Sequence, residues 1–391
     1  MSAASRCEVA VVGGGLVGAA LALGLHRRGI DVRMIDRDGV ADSADDYDLR
    51  VYAISPASRR FLQTLGVWDA IVAERSSPYT HMQVWESVPE SALHFDAADV
   101  RMPDLGAIVE SRVIQRQLWA ALPPAATLVQ AVQDLAIDTA PDGRATLTLA
   151  DGSRLSAALV IAADSARSPL RERRGIEVLR APYAQTAIVC HVQTERPHRG
   201  TAYQRFLLEG PLALLPLADG RSSIVWSTED AAALMALDDA KFRVALGAAS
   251  QQVLGAVLET TRRVSFPLAL QHAERYVEPR FALAGDAAHV VHPLAGQGVN
   301  LGFGDAEALV AILAEARAAG RDIGGLRVLQ RYQRARRAAV QDMIAVTDGL
   351  YRAYRLQQPA WNWLRQQGMR LAGAVAPARQ LLVRRACGID S

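Results

Sequence analysis

Three groups of residues in this 391-residue chain have the types and spacing to do chemistry. The first is Gly13-Gly14-Gly15-Leu16-Val17-Gly18, which follows the apolar run Val9 to Val12 and opens a helix-patterned segment reaching about Arg28. Glycines at 13, 15 and 18 permit a tight turn, close backbone approach to a pyrophosphate and close helix–strand packing, while the helix N-terminus offers free N–H groups to phosphates. A second apolar strand, Asp31 to Ile35, ends on Asp36, 23 residues after Gly13, where a carboxylate can accept hydrogen bonds from a ribose 2′-OH. The unit reads as a dinucleotide-binding βαβ. An acid at 36 would repel a 2′-phosphate, so this first nucleotide is FAD or NAD rather than NADP.

The second group is Asp164, carried by the apolar run Leu159 to Ala163 and followed by Ser165-Ala166-Arg167-Ser168 and Arg171. The third begins where the run Phe281 to Ala284 ends in Gly285-Asp286, and continues through His289, His292, Pro293, Gly296, Gln297, Gly298 and Asn300 into a helix starting near Val299. A strand that delivers an aspartate, a proline-kinked loop and glycines opening a helix form an assembly for holding something polar at a helix N-terminus. The partial positive charge there stabilises an anion, which in a flavin enzyme is the N1–C2=O region of the reduced isoalloxazine. Asp164 and Asp286 also have a plainer reading as helix caps. His289 and His292 lack a third imidazole or carboxylate at ligand spacing, so they read as loop or cap histidines and no metal site is expected.

Gly13-x-Gly15-x-x-Gly18, the Asp164 segment and Gly285-Asp286 with His-Pro-Leu-Ala-Gly-Gln-Gly-Val-Asn-Leu-Gly at 292–302 resemble the three fingerprints of group A flavoprotein aromatic hydroxylases. The chain is most similar to the ubiquinone-biosynthesis flavin hydroxylase family, whose members act on polyprenylated phenols. The likeness extends to Leu49-Arg50-Val51, Leu65-Gly66-Val67-Trp68, Val109-Glu110-Ser111 and Ser223-Ile224-Val225-Trp226, from about Val9 to Gly388. The resemblance implies a tightly but non-covalently bound FAD, with NAD(P)H as transient reductant and O₂ as co-substrate. Gly13, Gly15 and Gly18 would seat the pyrophosphate, Asp36 the adenosine ribose and Asp286 the ribityl chain, with Asp164, Gly285 and Asn300 also in the cofactor set. Pro293, Gly296, Gln297 and Gly298 would line the isoalloxazine. Arg50 would lie where the flavin swings, and Arg50, Pro293 and Gln297 are the expected catalytic residues. The implied chemistry is a flavin C4a-hydroperoxide attacked by an electron-rich ring, which requires no protein nucleophile or metal. One departure stands out: the family has Asp-Gly where this chain has Asp164-Ser165. If the glycine serves a positive φ, serine there is strained; if it only leaves room for a pyrophosphate, a hydroxyl is tolerated.

The elements that must position these residues follow from the pattern. Ala53 to Val72 reads as helical with a break at Leu65-Gly66-Val67, and Asp151-Gly152 reads as a hairpin turn. Between Tyr183 and Phe266, short alternating runs separated by turns such as Asp219-Gly220 indicate mixed or antiparallel sheet. Tyr203, Phe206 and Trp226 there are candidates for an aromatic substrate pocket, with sheet core as the competing role. Helices return after Gly298. With the resemblance, the expected class is α/β: a Rossmann-like FAD-binding domain of mostly parallel sheet (1–75, 100–180 and 267–345), an inserted β-sheet substrate domain (76–99 and 181–266) and a C-terminal helical region (346–391).

Half of the residues are hydrophobic and 21% are charged, which excludes disorder, fibrous repeats and a nucleic-acid arm. Three cysteines far apart indicate neither a disulfide framework nor a zinc site. Leu16 to Leu25 could pass for a signal-peptide core, yet Glu8 and a glycine loop precede it rather than a basic lead. No apolar run reaches the roughly eighteen residues of a membrane span, so the expectation is a cytoplasmic protein. The net charge of +2 hides an asymmetry, because residues 317–391 hold fourteen arginines against four aspartates. That end could lie on an anionic bilayer and admit a polyprenyl tail, dock onto other quinone-biosynthesis proteins, or be a solvated basic face. Two further readings of the whole chain remain beside hydroxylation: a related-fold FAD reductase or oxidase, and a flavin-stabilised scaffold subunit of a biosynthetic complex.

Overall fold

The computed structural model describes residues 5–40, 46–89, 92–138, 143–291 and 297–355. Ser5–Val12 lies at the centre of the first sheet, parallel to Arg154–Ala162 on one side and Val32–Asp36 on the other. Phe281–Leu283 and Thr127–Val129 extend the parallel set outward. All three chemistry-bearing turns therefore leave the same C-terminal edge of one parallel sheet, where open α/β sheets bind their ligands.

Leu16–Arg27 joins the first two strands. It is apolar around nearly its whole circumference because it is covered on all sides, and residues 18 to 25 are buried without exception. At Gly24 an ideal Cβ would stand 2.6 Å from Val310 of the helix Gln297–Ala318, so the two helices touch through the missing side chain. The run that imitates a signal-peptide core is thus a buried crossover helix.

Ala53 is not helical as its pattern suggests. Val51–Ile54 pairs antiparallel with Gly106–Glu110, and the helix begins only at Pro56, behind Ser55, whose hydroxyl accepts the Ser58 N–H at 3.2 Å. Proline at the first helical position and a serine cap outweigh the apolar periodicity.

The second sheet is antiparallel apart from the parallel pairing of Thr201–Leu207 with His81–Trp85. Its spine is Val178–Thr194, flanked by Val264–Ala273 and Ser222–Thr228. Two helices within the stretch read as mixed or antiparallel sheet, Ala231–Ala236 and Asp239–Ala249, cover one face, where Phe242 and Leu246 join Ile188, Cys190, Leu212 and Leu214 in a core. The other face, carrying Val189, His191, Ala213, Leu215 and Val225, borders the large cavity described below.

The final described helix, Leu326–Arg355, passes residue 346 without a break and ties the two sheets together. Val340 packs with Val291 and Leu301, and Ile344 with Tyr183, Leu268 and Leu270. No helix among the described residues is long and apolar enough to cross a membrane. The basic stretch beyond residue 355, with Pro359 and Pro377, lies outside the described residues.

Candidate active site

The glycine loop is held by sterics. Gly13 has φ +105°, and a Cβ on it would run into the carbonyl of Ala163; a Cβ on Gly18 would run into the carbonyl of Gly13. Gly15 differs, since a Cβ there meets nothing within 4 Å. Gly15 is also the N-cap of Leu16–Arg27, and no side chain caps that helix. Its first-turn N–H groups therefore stay available to an anion, and Gly15, Leu16 and Val17 line the cavity.

Asp36 sits beside this loop at the end of its strand. Its carboxylate accepts the N–H groups of Gly14 (2.6 Å), Asp38 (3.0 Å) and Gly39 (2.9 Å), so it fixes the loop as well as lining the cavity. Two residues not singled out in the sequence also hold the loop: Gln115 Nε2 (2.9 Å) and Trp119 Nε1 (2.7 Å) both donate to the Gly14 carbonyl. Their i, i+4 spacing on Ser111–Ala120 puts them on one helix face, and that spacing was their only signal.

Asp164 emerges beside Gly13. One carboxylate oxygen accepts the Leu170 N–H at 3.3 Å and the other is buried without a hydrogen-bond partner. Burial pushes its carboxyl up, against hydrogen bonds from Ser168 and Leu170 that pull it down. Ser165 has φ +86°, so the residue replacing the family glycine occupies the left-handed region. Arg171, 1% exposed, straps this turn to the third one: Nη2 donates to the Ala166 carbonyl and Nη1 to that of Ala287, each at 2.9 Å.

Gly285 has φ +60° and stands against Val17 of the first helix. Asp286 follows and projects into the cavity, exposed there, where desolvation by the surrounding protein pushes its carboxyl up and His289 and Arg50 partly offset the push. His289 is a buried partner rather than a loop or cap histidine: its Nε2 lies 2.6 Å from Asp305 Oδ2. Asn300 uses its amide to clamp the segment before Pro56, donating to the Ala53 carbonyl (2.9 Å) and accepting from Ser55 N–H (3.0 Å). Gly298 and Asn300 line the cavity at the start of Gln297–Ala318. Pro293, Gly296 and His292 lie outside the described residues.

Arg50 reaches the cavity from a loop pinned at Asp48. The Asp48 carboxylate accepts the Arg50 N–H (3.0 Å), its own N–H donates to Glu110 (2.6 Å), and its carbonyl lies 3.1 Å from His191 Nε2 on the second sheet. Glu110 in turn pairs with Arg75 at 2.8 Å. A carbonyl only accepts, so His191 carries its proton on Nε2, and desolvation holds the imidazole toward the neutral form.

The aromatic candidates separate. Phe206 borders the cavity, whereas strand alternation turns Tyr203 to the opposite face, where its ring packs on the helix-side core, edge-on to Trp85 at 6.5 Å, so Tyr203 is corrected to a core residue. Trp226 is corrected to a core residue: strand alternation turns its ring to the helix-covered face, 6.3 Å from Phe242.

The cavity of about 3190 Å³ runs from the glycine loop and Asp36, past Asp164, Asp286 and Arg50, to the inner face of the second sheet. That exceeds the roughly 300–1,000 Å³ of an ordinary small-ligand pocket several times over, enough for a dinucleotide and a second molecule. Gly13 and Gly18, whose backbones leave no room for a Cβ, the open space at Gly15 and the unpartnered Asp164 oxygen fit an extended cofactor with phosphate and hydroxyl groups.

The FAD binding domain family matches residues 6–347. The 3-demethoxyubiquinol 3-hydroxylase of Escherichia coli K12 is 38% identical over 98% of both chains. Ubiquinone hydroxylase UbiL of Rhodospirillum rubrum is 38% identical over 99% of this chain and 91% of its own. The chain belongs to the ubiquinone-biosynthesis flavin hydroxylase family. Human mitochondrial ubiquinone biosynthesis monooxygenase COQ6 is a more distant member, 35% identical over 96% of this chain and 91% of its own. Solved structures repeat the fold: p-nitrophenol 4-monooxygenase PnpA from Pseudomonas putida DLL-E4 has a TM-score of 0.78 at 19% identity, covering 97% of both chains. Klebsiella pneumoniae HpxO, complexed with FAD and uric acid, has a TM-score of 0.76 at 21% identity, covering 96% of this chain and 97% of its own. As a member of this hydroxylase family the protein is an FAD-dependent aromatic-ring monooxygenase of ubiquinone biosynthesis.

Proposed function

We propose that this enzyme hydroxylates the ring of a polyprenylated ubiquinone precursor held between the dinucleotide loop and the inner face of the second sheet. The continuity of one cavity across both surfaces carries the reading. FAD, when bound, takes electrons from NAD(P)H and activates O₂ so that one oxygen atom reaches the ring.

The chain's own residues bind, orient and exclude water. Gly13, Gly15 and the N-terminus of Leu16–Arg27 hold the pyrophosphate, and Gly18 lets the helix approach the loop. Asp36 takes the adenosine ribose with the lone pairs its three backbone donors leave free, and Asp164 and Asp286 bond the middle of the cofactor. The start of Gln297–Ala318 has no acid in its first turn, so its positive end would favour negative charge on a bound flavin. Arg50 adds a cation on a loop whose position Asp48 and Glu110 set. Val189, Ala213, Leu215, Val225 and Phe206 form an apolar wall that keeps the ring dry.

We assign the parallel sheet to a cofactor domain and the second sheet to a substrate domain; Val264–Ala273, a strand of the second sheet, runs across the expected boundary at 267. Phe266 (44% exposed) and Val346 (54% exposed) both border the cavity and offer an apolar lip to an isoprenoid tail. That lip and the arginine-rich C-terminal end suit contact with an anionic membrane surface.

Expressing the chain in strains that each lack one ring hydroxylase, and following accumulated intermediates by mass spectrometry, identifies the ring position. Growth under ¹⁸O₂ should place labelled oxygen in the new hydroxyl. Unlabelled product would point to reductase or oxidase chemistry instead.

A further inference from the structure

Beneath the Gly285–Asp286 turn lies a buried polar centre for which the reading above has no use. Asp305, with a fully buried side chain, accepts the Gly285 N–H on Oδ2 (3.0 Å), shares that oxygen with His289 Nε2 (2.6 Å) and accepts Arg336 Nε on Oδ1 (2.8 Å). Arg336 comes from the last helix, and its Nη2 also donates to the Leu301 carbonyl at 3.1 Å. Its guanidinium crosses directly above Gly304, where an ideal Cβ would stand 2.7 Å from Nη2. Burying an ion pair gains little net stability over apolar residues of the same size, whereas its directional bonds fix one geometry. What is fixed here is the positive-φ turn that aims Asp286 into the cavity and rests on Val17 of the glycine-loop helix.

We propose that Asp305 and Arg336 are positioning residues for the cofactor, through which the last helix sets the Gly285–Asp286 turn and thereby the affinity for FAD. The proposal rests on the reading of Asp286 as a partner of bound FAD. Lysine at 336 keeps the charge but cannot bridge Asp305 and the Leu301 carbonyl as a guanidinium does.

The test titrates the apoprotein with FAD by fluorescence quenching, records the visible spectrum of the bound flavin and follows folding by circular dichroism. Arg336→Lys should raise the Kd for FAD about tenfold, the cost of one charge-assisted hydrogen bond, and shift the flavin absorption band while the apoprotein stays folded. A purely structural role would lower the apoprotein's melting temperature and leave Kd and spectrum in place, so a change in Kd smaller than about fivefold overturns the proposal. Should Arg336→Lys fail to fold, Gly304→Ala decides in the same assay, because it displaces the guanidinium without removing any charge. Asp286→Ala separates the two layers. An unchanged Kd in Asp286→Ala refutes that residue's assigned role, while a raised one beside an unchanged Arg336→Lys refutes only the inference drawn here.

Discussion

At the scale of single residues, Ser165 shows how a departure from a family pattern becomes a physical statement once its backbone angle is known. At φ +86° a serine pays the steric cost of the left-handed region, which glycine does not. Ser165→Gly should stabilise the protein by about 0.5–1 kcal/mol, the relief being partly offset by the freer unfolded chain. Urea unfolding of both proteins measures it, and a destabilised variant would mean that the serine hydroxyl makes a compensating contact. The sequence showed the substitution and named both consequences; only the backbone conformation chose between them. Trp226 makes the converse point, since one step of strand alternation decides between pocket wall and core, and composition cannot supply that phase.

Among elements, the three turns are placed by helices whose partners are remote in sequence. Trp119 holds the Gly14 carbonyl from 105 positions away, so Trp119→Phe should loosen the glycine loop and cost about 1 kcal/mol, with weaker FAD binding in the same titration. Asp305 ties Gln297–Ala318 to Leu326–Arg355. Burial pushes its carboxyl up, but His289 and Arg336 outweigh burial and hold it below its usual value. A depressed carboxyl stabilises the folded state above its unfolded pKa of about 3.9, and that stability is lost as pH falls through the depressed folded value. Asp305→Asn should therefore cost about 3–5 kcal/mol at pH 7, where it removes the counter-charge of the mostly buried Arg336. The gap should narrow only below about pH 4, as the wild-type carboxyl takes up its proton. Denaturant melts at pH 7 and below pH 4 check this, and a constant gap would show that the charge of Asp305 is not what is lost. Asp305 and Arg336 were not legible in the sequence, and Gln115 and Trp119 only through their i, i+4 spacing, because little local marks a side chain whose partner is a backbone carbonyl or carboxylate on another element.

For the whole molecule, a cavity spanning both sheets couples ligand binding to global stability. Free FAD at a hundred times its Kd should raise the unfolding free energy by about 2.7 kcal/mol, measurable as a concentration-dependent shift in melting temperature. Phe266→Glu or Val346→Glu should raise KM for a long-tailed substrate more than for a short-tailed one and weaken binding to anionic vesicles; equal effects on both substrates would remove the lip from tail recognition. The sequence by itself determined the dinucleotide loop, the strands that end on Asp36, Asp164 and Gly285-Asp286, the α/β class and the family, because glycine spacing, apolar runs and their terminal acids are local properties of the chain. It also disclosed the basic end hidden within a net charge of +2. Tertiary structure alone decided that those ends share one sheet edge and that Asn300 clamps the Ala53–Ser55 segment. It alone placed His289 with Asp305 and Arg336, and turned Phe206 toward the cavity and Trp226 away from it. Those outcomes depend on strand register, helix crossing and the geometry of buried hydrogen bonds, which join residues dozens to hundreds of positions apart.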